Sequence, residues 1–146
     1  MDRRDDNFRN GMFTWFTGEV TKVASDGTNR VKVYPHGYYD TKFKDEKNAD
    51  DLPWATVMMP CTTAGDGIGS MNHGLEKGTW VVGFFRDGPS AQDPIVMGVI
   101  TGTDLPPLAS DKVKQQTFQG GQSITIDNST GTIILSGSLA GKVKII

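Results

Sequence analysis

The residues best suited to chemistry in this chain of 146 residues are two histidines, one cysteine and a cluster of carboxylates, and their spacing argues against a reaction centre. His36 and His73 fall in different loop segments, without ligand-type spacing to each other or to Cys61. A zinc site takes four protein ligands, or three and a water, so both histidines are expected to be solvated. Cys61 has no cysteine to pair with and reads as a small buried apolar residue. Asp45, Glu46, Asp50 and Asp51 could pair for acid–base work, but Lys42, Lys44 and Lys47 lie among them. Such interleaving describes a solvated, charge-balanced loop. The glycines Gly65, Gly67 and Gly69 suggest a phosphate loop, yet the lysine that should follow is missing. They serve tight turns better, with a neighbouring subunit as one reason for them. No catalytic residue, metal site or cofactor is therefore expected.

Bulk properties narrow the class further. The net charge of -2 argues against nucleic acid or anionic membrane held by bulk charge. No apolar run approaches the roughly 20 residues of a membrane span. The mixed-charge start, residues 1–6, is followed by no signal-type apolar segment, so synthesis in the cytosol is expected. Eighteen glycines and seven prolines punctuate short runs of β-branched and aromatic residues, which points to an all-β chain.

The strands that would carry any surface can be placed in order. Residues 13–23 form a first strand, with Gly18 marking a bend. Asp26-Gly27 supplies a hairpin turn. Residues 30–34 then alternate, Val31 and Val33 on one side and Lys32 on the other. Residues 36–51 are polar and read as a long connection leaving the fold, with a weakly signalled helix near 45–49. Strands at 54–59, 78–85 and 94–100 complete a five-stranded OB-like barrel. Its core is expected from Trp15, Val20, Val31, Val33, Trp80, Val82, Phe84, Ile95 and Met97.

Composition changes after this point. An N-terminal arm at 1–12 and the barrel at 13–102 give way to a linker at 103–119, marked by Pro106-Pro107, and a strand-rich tail at 120–146. Tail segments 123–126, 132–135 and 142–145 are short, alternating and separated by glycine. Strands of this length cannot enclose a core alone, and their open edges would invite aggregation. Three chains around a threefold axis could turn the apolar faces inward. The tail is therefore expected to be a trimeric intertwined β-helix or β-prism, with Ile124, Ile126, Ile133, Leu135, Val143 and Ile145 inside.

The order of motifs also carries a resemblance. Leu52-Pro53-Trp54-Ala55, Met58-Met59-Pro60, Gly78-Thr79-Trp80-Val81-Val82-Gly83-Phe84-Phe85 and Gln92-Asp93-Pro94-Ile95-Val96-Met97-Gly98 follow one another, after Trp15-Phe16-Thr17-Gly18-Glu19-Val20 and Arg30-Val31-Lys32-Val33. Over about residues 13–102 the chain resembles the OB-fold central spike proteins of contractile-tail phage baseplates. Baseplate assembly protein V and VgrG-type spikes are related folds. The resemblance implies a structural, non-enzymatic homotrimer in the virion, made in the host cytoplasm. It would attach to a hub protein at the tube tip, carry a tip-capping partner, and contact the host envelope transiently while piercing it. Tyr38, Tyr39, Trp54, Gly67 and Ile68 become candidates for the hub or subunit interface. The best-known relative inserts a lysozyme domain between barrel and needle, but 103–119 is too short for one. Some relatives hold iron through paired histidines at the tip, and residues 137–146 contain no histidine. Two other readings fit less well. One is the spike of a type VI or extracellular injection system. The other is an OB module for single-stranded nucleic acid, using Lys22, Arg30, Lys32 and Tyr34.

Overall fold

The structure, a computed structural model, describes residues 13–63, 73–101, 113–117 and 121–137. The chain divides into two compact units, Met1–Gly102 and Thr103–Ile146.

In the first unit five strands close on themselves: β1 (Thr14–Val23), β2 (Arg30–Pro35), β3 (Trp54–Val57), β4 (Trp80–Phe85) and β5 (Pro94–Val99). They are ordered β1-β2-β3-β5-β4, with β4 paired back onto β1. All pairs are antiparallel except β3 with β5. This is the strand order of an OB barrel. A ten-residue β1 can serve two neighbours because it bends. At Gly18 a Cβ would lie 2.6 Å from the Tyr34 carbonyl oxygen, and the register with β2 shifts between Val20 and Lys22. The β1–β2 turn is closed by Asp26, whose carboxylate accepts the Thr28 backbone N–H at 3.0 Å, and Gly27 takes the positive φ of 77°.

The core is Phe16, Val20, Val31, Val33, Ala55, Leu75, Val81, Phe85, Ala91 and Val96. Of the nine residues the sequence assigned to it, Val20, Val31 and Val33 are in this cluster. Trp15, Trp80 and Met97 are instead 59%, 52% and 50% exposed. Val82 and Ile95 are half-buried, and Phe84 is buried outside the cluster. The cause is strand parity, since a one-residue slip exchanges the two faces. Phe16 points inward, so Trp15 points out. On β4 the inward positions are Val81, Gly83 and Phe85, which turns Trp80, Val82 and Phe84 outward. On β5 Pro94 and Val96 are buried, and Met97 sits where the register with β4 shifts.

The connection between β2 and β3 does not leave the barrel. It makes a 3-10 turn at Thr41–Lys44 and a one-turn helix at Glu46–Ala49, then returns. Tyr34, Ala49 and Leu52 form a second small buried cluster, with Tyr39 and Phe43 packed on it. Every β2 residue after Arg30 is therefore buried, because both faces are covered.

In the second unit β6 (Val113–Thr117), β7 (Ser123–Asp127) and β8 (Thr132–Ser136) form an antiparallel three-stranded sheet, in that order. β6 lies within the expected linker. Its Val-Lys-Gln-Gln-Thr sequence has no apolar alternation to announce a strand.

Candidate interaction surfaces

Pairing in the second unit aligns the tail's apolar residues. Ile124 stands opposite Leu135, and Ile126 opposite Ile133. Directly opposed residues share a face, so these four form one apolar patch across β7 and β8. Gln116 continues that face onto β6, opposite Ile124. Among the described residues the patch has no second layer: Ile126 and Ile133 are 46% and 69% exposed. Asp127 holds the β7–β8 turn by accepting the Ser129 N–H at 2.8 Å and its hydroxyl at 2.5 Å. Those bonds favour the anion, so the Asp127 pKa lies below the ordinary aspartate value. Val143 and Ile145, also assigned to this face, lie outside the described residues, as do the interface candidates Gly67 and Ile68.

On the barrel, the remaining interface candidates are tied down. The Tyr38 ring lies 5.0 Å from that of Phe85, and its hydroxyl donates to the Trp15 carbonyl at 2.7 Å, yet Tyr38 stays 42% exposed. Tyr39 donates to the Ala91 carbonyl and accepts from the Gln92 side chain at 3.1 Å. Burial first, then the nearby Asp87 charge, push the Tyr39 hydroxyl pKa up. Trp54 lies beside two cations, Lys32 at 4.9 Å and Arg30 at 5.5 Å from its ring centre. These contacts clamp the β2–β3 connection onto the barrel.

The cations that would line a nucleic-acid groove are engaged as well. Lys22 pairs with Asp50 at 2.7 Å, and this bond holds the Asp50 carboxyl below its usual range. Arg30 lies 3.7 Å from Asp26. Lys32 is buried against the Asp50 carbonyl, and Tyr34 is buried too.

The residues first weighed for chemistry are scattered. His36 is half-buried, 5.7 Å from the Tyr34 ring and 5.2 Å from the Trp80 ring. His73 is half-buried, and its Nδ1 accepts the Leu75 N–H at 3.1 Å; burial lowers its pKa. Neither is the solvated residue expected. Cys61, expected to be buried, is exposed, because Pro60 ends the strand run and carries the chain out of the core. His73 borders an apolar groove of about 300 Å³ with Met58, Met59, Pro60, Met97 and Val99. No group of three or more His, Cys, Asp or Glu suited to a metal ion occurs among the described residues.

What the sequence missed is the aromatic exterior of β1 and β4. Phe13, Trp15 and Trp80 are each more than half exposed. Trp15, opposite Phe84, and Trp80, opposite Glu19, stand toward different ends of the β1–β4 pair, so they do not form one continuous patch. The signal was present in the parity of Trp15 against the buried Phe16.

Two comparisons with known proteins bear on these surfaces. The family model described as the Gp5 N-terminal OB domain matches residues 38–112, which take in the β2–β3 connection, β3, β4 and β5. Protein Gp5 of Vibrio phage KVP40 is 38% identical over 101 residues, covering 64% of this chain and 24% of that protein. The chain thus spans about a quarter of the length of the curated relative it matches.

Proposed function

The chain belongs to the Gp5 N-terminal OB domain family, and on that footing we propose that it is a structural component of a phage tail baseplate. It forms the homotrimeric central spike, attached to a hub protein at the tube tip. The observation that carries the trimer is the apolar face of β7 and β8, where Ile124, Ile126, Ile133 and Leu135 meet in register without a covering layer among the described residues. Three such faces around an axis would remove them from water at about 25 cal/mol per Å² of apolar area. The sheet is an antiparallel meander within one chain. A three-sided β-prism therefore fits it better than strands wound between chains at every turn.

In this role the barrel is an adaptor and the tail a load-bearing element. As the sheath contracts, the tube drives the spike against the host envelope. Backbone hydrogen bonds across the sheets and a dry apolar axis resist bending. The role is non-enzymatic: too few residues separate Val99 at the end of β5 from Val113 at the start of β6 to hold a folded enzyme domain between barrel and tail strands.

Immunogold labelling of purified particles with antibody to the barrel tests the assignment. Label confined to the distal end of the tail is expected. Label on the capsid or along the tube, or absence of the protein from washed particles, would refute it.

A further inference from the structure

We infer that the β1–β2 turn carries a site of spontaneous covalent modification, Asp26 followed by Gly27, where the main chain rearranges to isoaspartate through a succinimide. The inference stands apart from the baseplate reading. Asp-Gly pairs occur at 26–27, 66–67 and 87–88. The second lies outside the described residues, and the other two have opposite settings.

The rearrangement needs no reactant but water. The Gly27 amide nitrogen gives up its proton and bonds to the carboxyl carbon of Asp26, while one carboxyl oxygen departs as water. The product is a five-membered succinimide ring. Water then adds to either of the two ring carbonyl carbons. If the nitrogen parts from the side-chain carbon, aspartate returns. If it parts from the main-chain carbon, the chain runs on through the side chain and a carboxylate is left on Cα. The water lost is regained, and nothing is oxidised or reduced.

Ring closure asks for a carboxyl oxygen that can leave, a following residue without a side chain, and room for the backbone to rotate. Asp26–Gly27 offers all of them. The Asp26 side chain is 54% exposed. Its Oδ1 accepts both Thr28 bonds, from the N–H at 3.0 Å and the hydroxyl at 2.5 Å. Oδ2 has only the Arg30 guanidinium at 3.7 Å, beyond hydrogen-bond length. Gly27 is exposed, and even a Cβ there would meet nothing within 4 Å. Asp87–Gly88 shares the glycine and little else. Asp87 is 8% exposed, each of its oxygens accepts a backbone N–H, from Gln92 at 2.9 Å and Asp93 at 3.1 Å, and Gly88 is buried.

Thr28 sets the pace of the change. Its bonds, with Arg30 nearby, favour the ionised carboxylate and lower the Asp26 pKa. An ionised carboxylate releases an oxygen less readily than the acid does, so the rearrangement is slow while those bonds last. The product cannot keep them, because a further carbon enters the main chain and the carboxylate moves to Cα. The flanking strands are held by Val20, Val31 and Val33 in the core, so the alteration stays at the hairpin tip.

The test is incubation of the purified full chain at neutral pH for several weeks, then trypsin digestion and methylation by L-isoaspartyl methyltransferase with labelled S-adenosylmethionine. Trypsin puts the three pairs in separate peptides, 23–30, 48–77 and 87–112. Peptide 23–30 should carry at least ten times the label of 87–112. A smaller ratio, or no label on 23–30, overturns the site. Thr28→Val, which keeps the N–H and removes the hydroxyl, should label 23–30 at least twice as fast, with circular dichroism checking the barrel. An unchanged or slower rate in the folded variant overturns the restraint by Thr28, and Thr28→Ala is read in its place if the valine chain misfolds.

Discussion

Tyr39 shows how single side chains convert a polar connection into part of the barrel. Its hydroxyl bridges the Ala91 carbonyl and the Gln92 side chain, and Ala91 itself sits at a positive φ of 52° that this bonding helps to hold. Tyr39→Phe should cost about 1 kcal/mol in urea unfolding at neutral pH. Because the folded-state pKa of Tyr39 is raised, the unfolded chain releases its proton first. Stability should therefore fall as pH rises above about 10, and less steeply in the Phe variant. Asp127 behaves in the opposite sense. Its bonds to Ser129 lower its pKa, so its contribution holds above the ordinary aspartate range and fades as pH falls through the lowered value. An NMR titration should place its midpoint below that of a free aspartate, with Ser129→Ala moving it back up. A midpoint at the ordinary value in both would mean that the turn is not formed in solution.

Between strands, the closest fit is at Gly83. A Cβ there would collide with the Ile95 carbonyl oxygen and stand 2.7 Å from the Phe16 ring, whereas one at Gly98 would meet nothing within 4 Å. Gly83→Ala should cost ~3 kcal/mol or more, since neither backbone nor core ring can yield cheaply. Gly98→Ala should be nearly neutral, and thermal melting compares the two. The same strands show what a sequence can disclose. Arg30 to Tyr34 alternates, so Val31 and Val33 could be assigned to the interior, where they lie. Thr79 to Phe85 and Pro94 to Ile100 are almost continuously apolar, and nothing in such a run says which parity faces in. Such runs therefore favour the larger Trp80 and Met97 as interior residues, whereas Val81 and Val96 are the ones buried. Size misled further, because bulky tryptophans look like core. The β2–β3 connection was illegible for another reason: its helix is one turn long, and Tyr39, Phe43, Ala49 and Leu52 bury only through contacts distant in sequence. The tail pattern was easier. Ile124, Ile126, Ile133 and Leu135 alternate cleanly, and the pairing sets them on one face.

Seen entire, the chain joins a barrel closed upon itself to a sheet whose apolar side remains open among the described residues. The barrel leaves no strand edge to extend, so self-association should depend on the tail. Ile126→Asp would set three carboxylates around an axis, each with only the Lys114 of its own chain paired opposite on β6, and a charge buried without a well-made partner costs about 3–5 kcal/mol. That variant should keep a folded barrel, with β-type circular dichroism and an unchanged Trp54 environment, while losing the assembly. Sedimentation equilibrium of the purified full chain, run beside Ile126→Asp, decides the matter. Three times the chain mass for the parent, independent of concentration over the micromolar range, with a shift to the single-chain mass in the variant, is the expected result. A parent that sediments as a folded monomer, or a variant that stays trimeric, would mean that the Ile and Leu face of β7 and β8 is not where three chains meet.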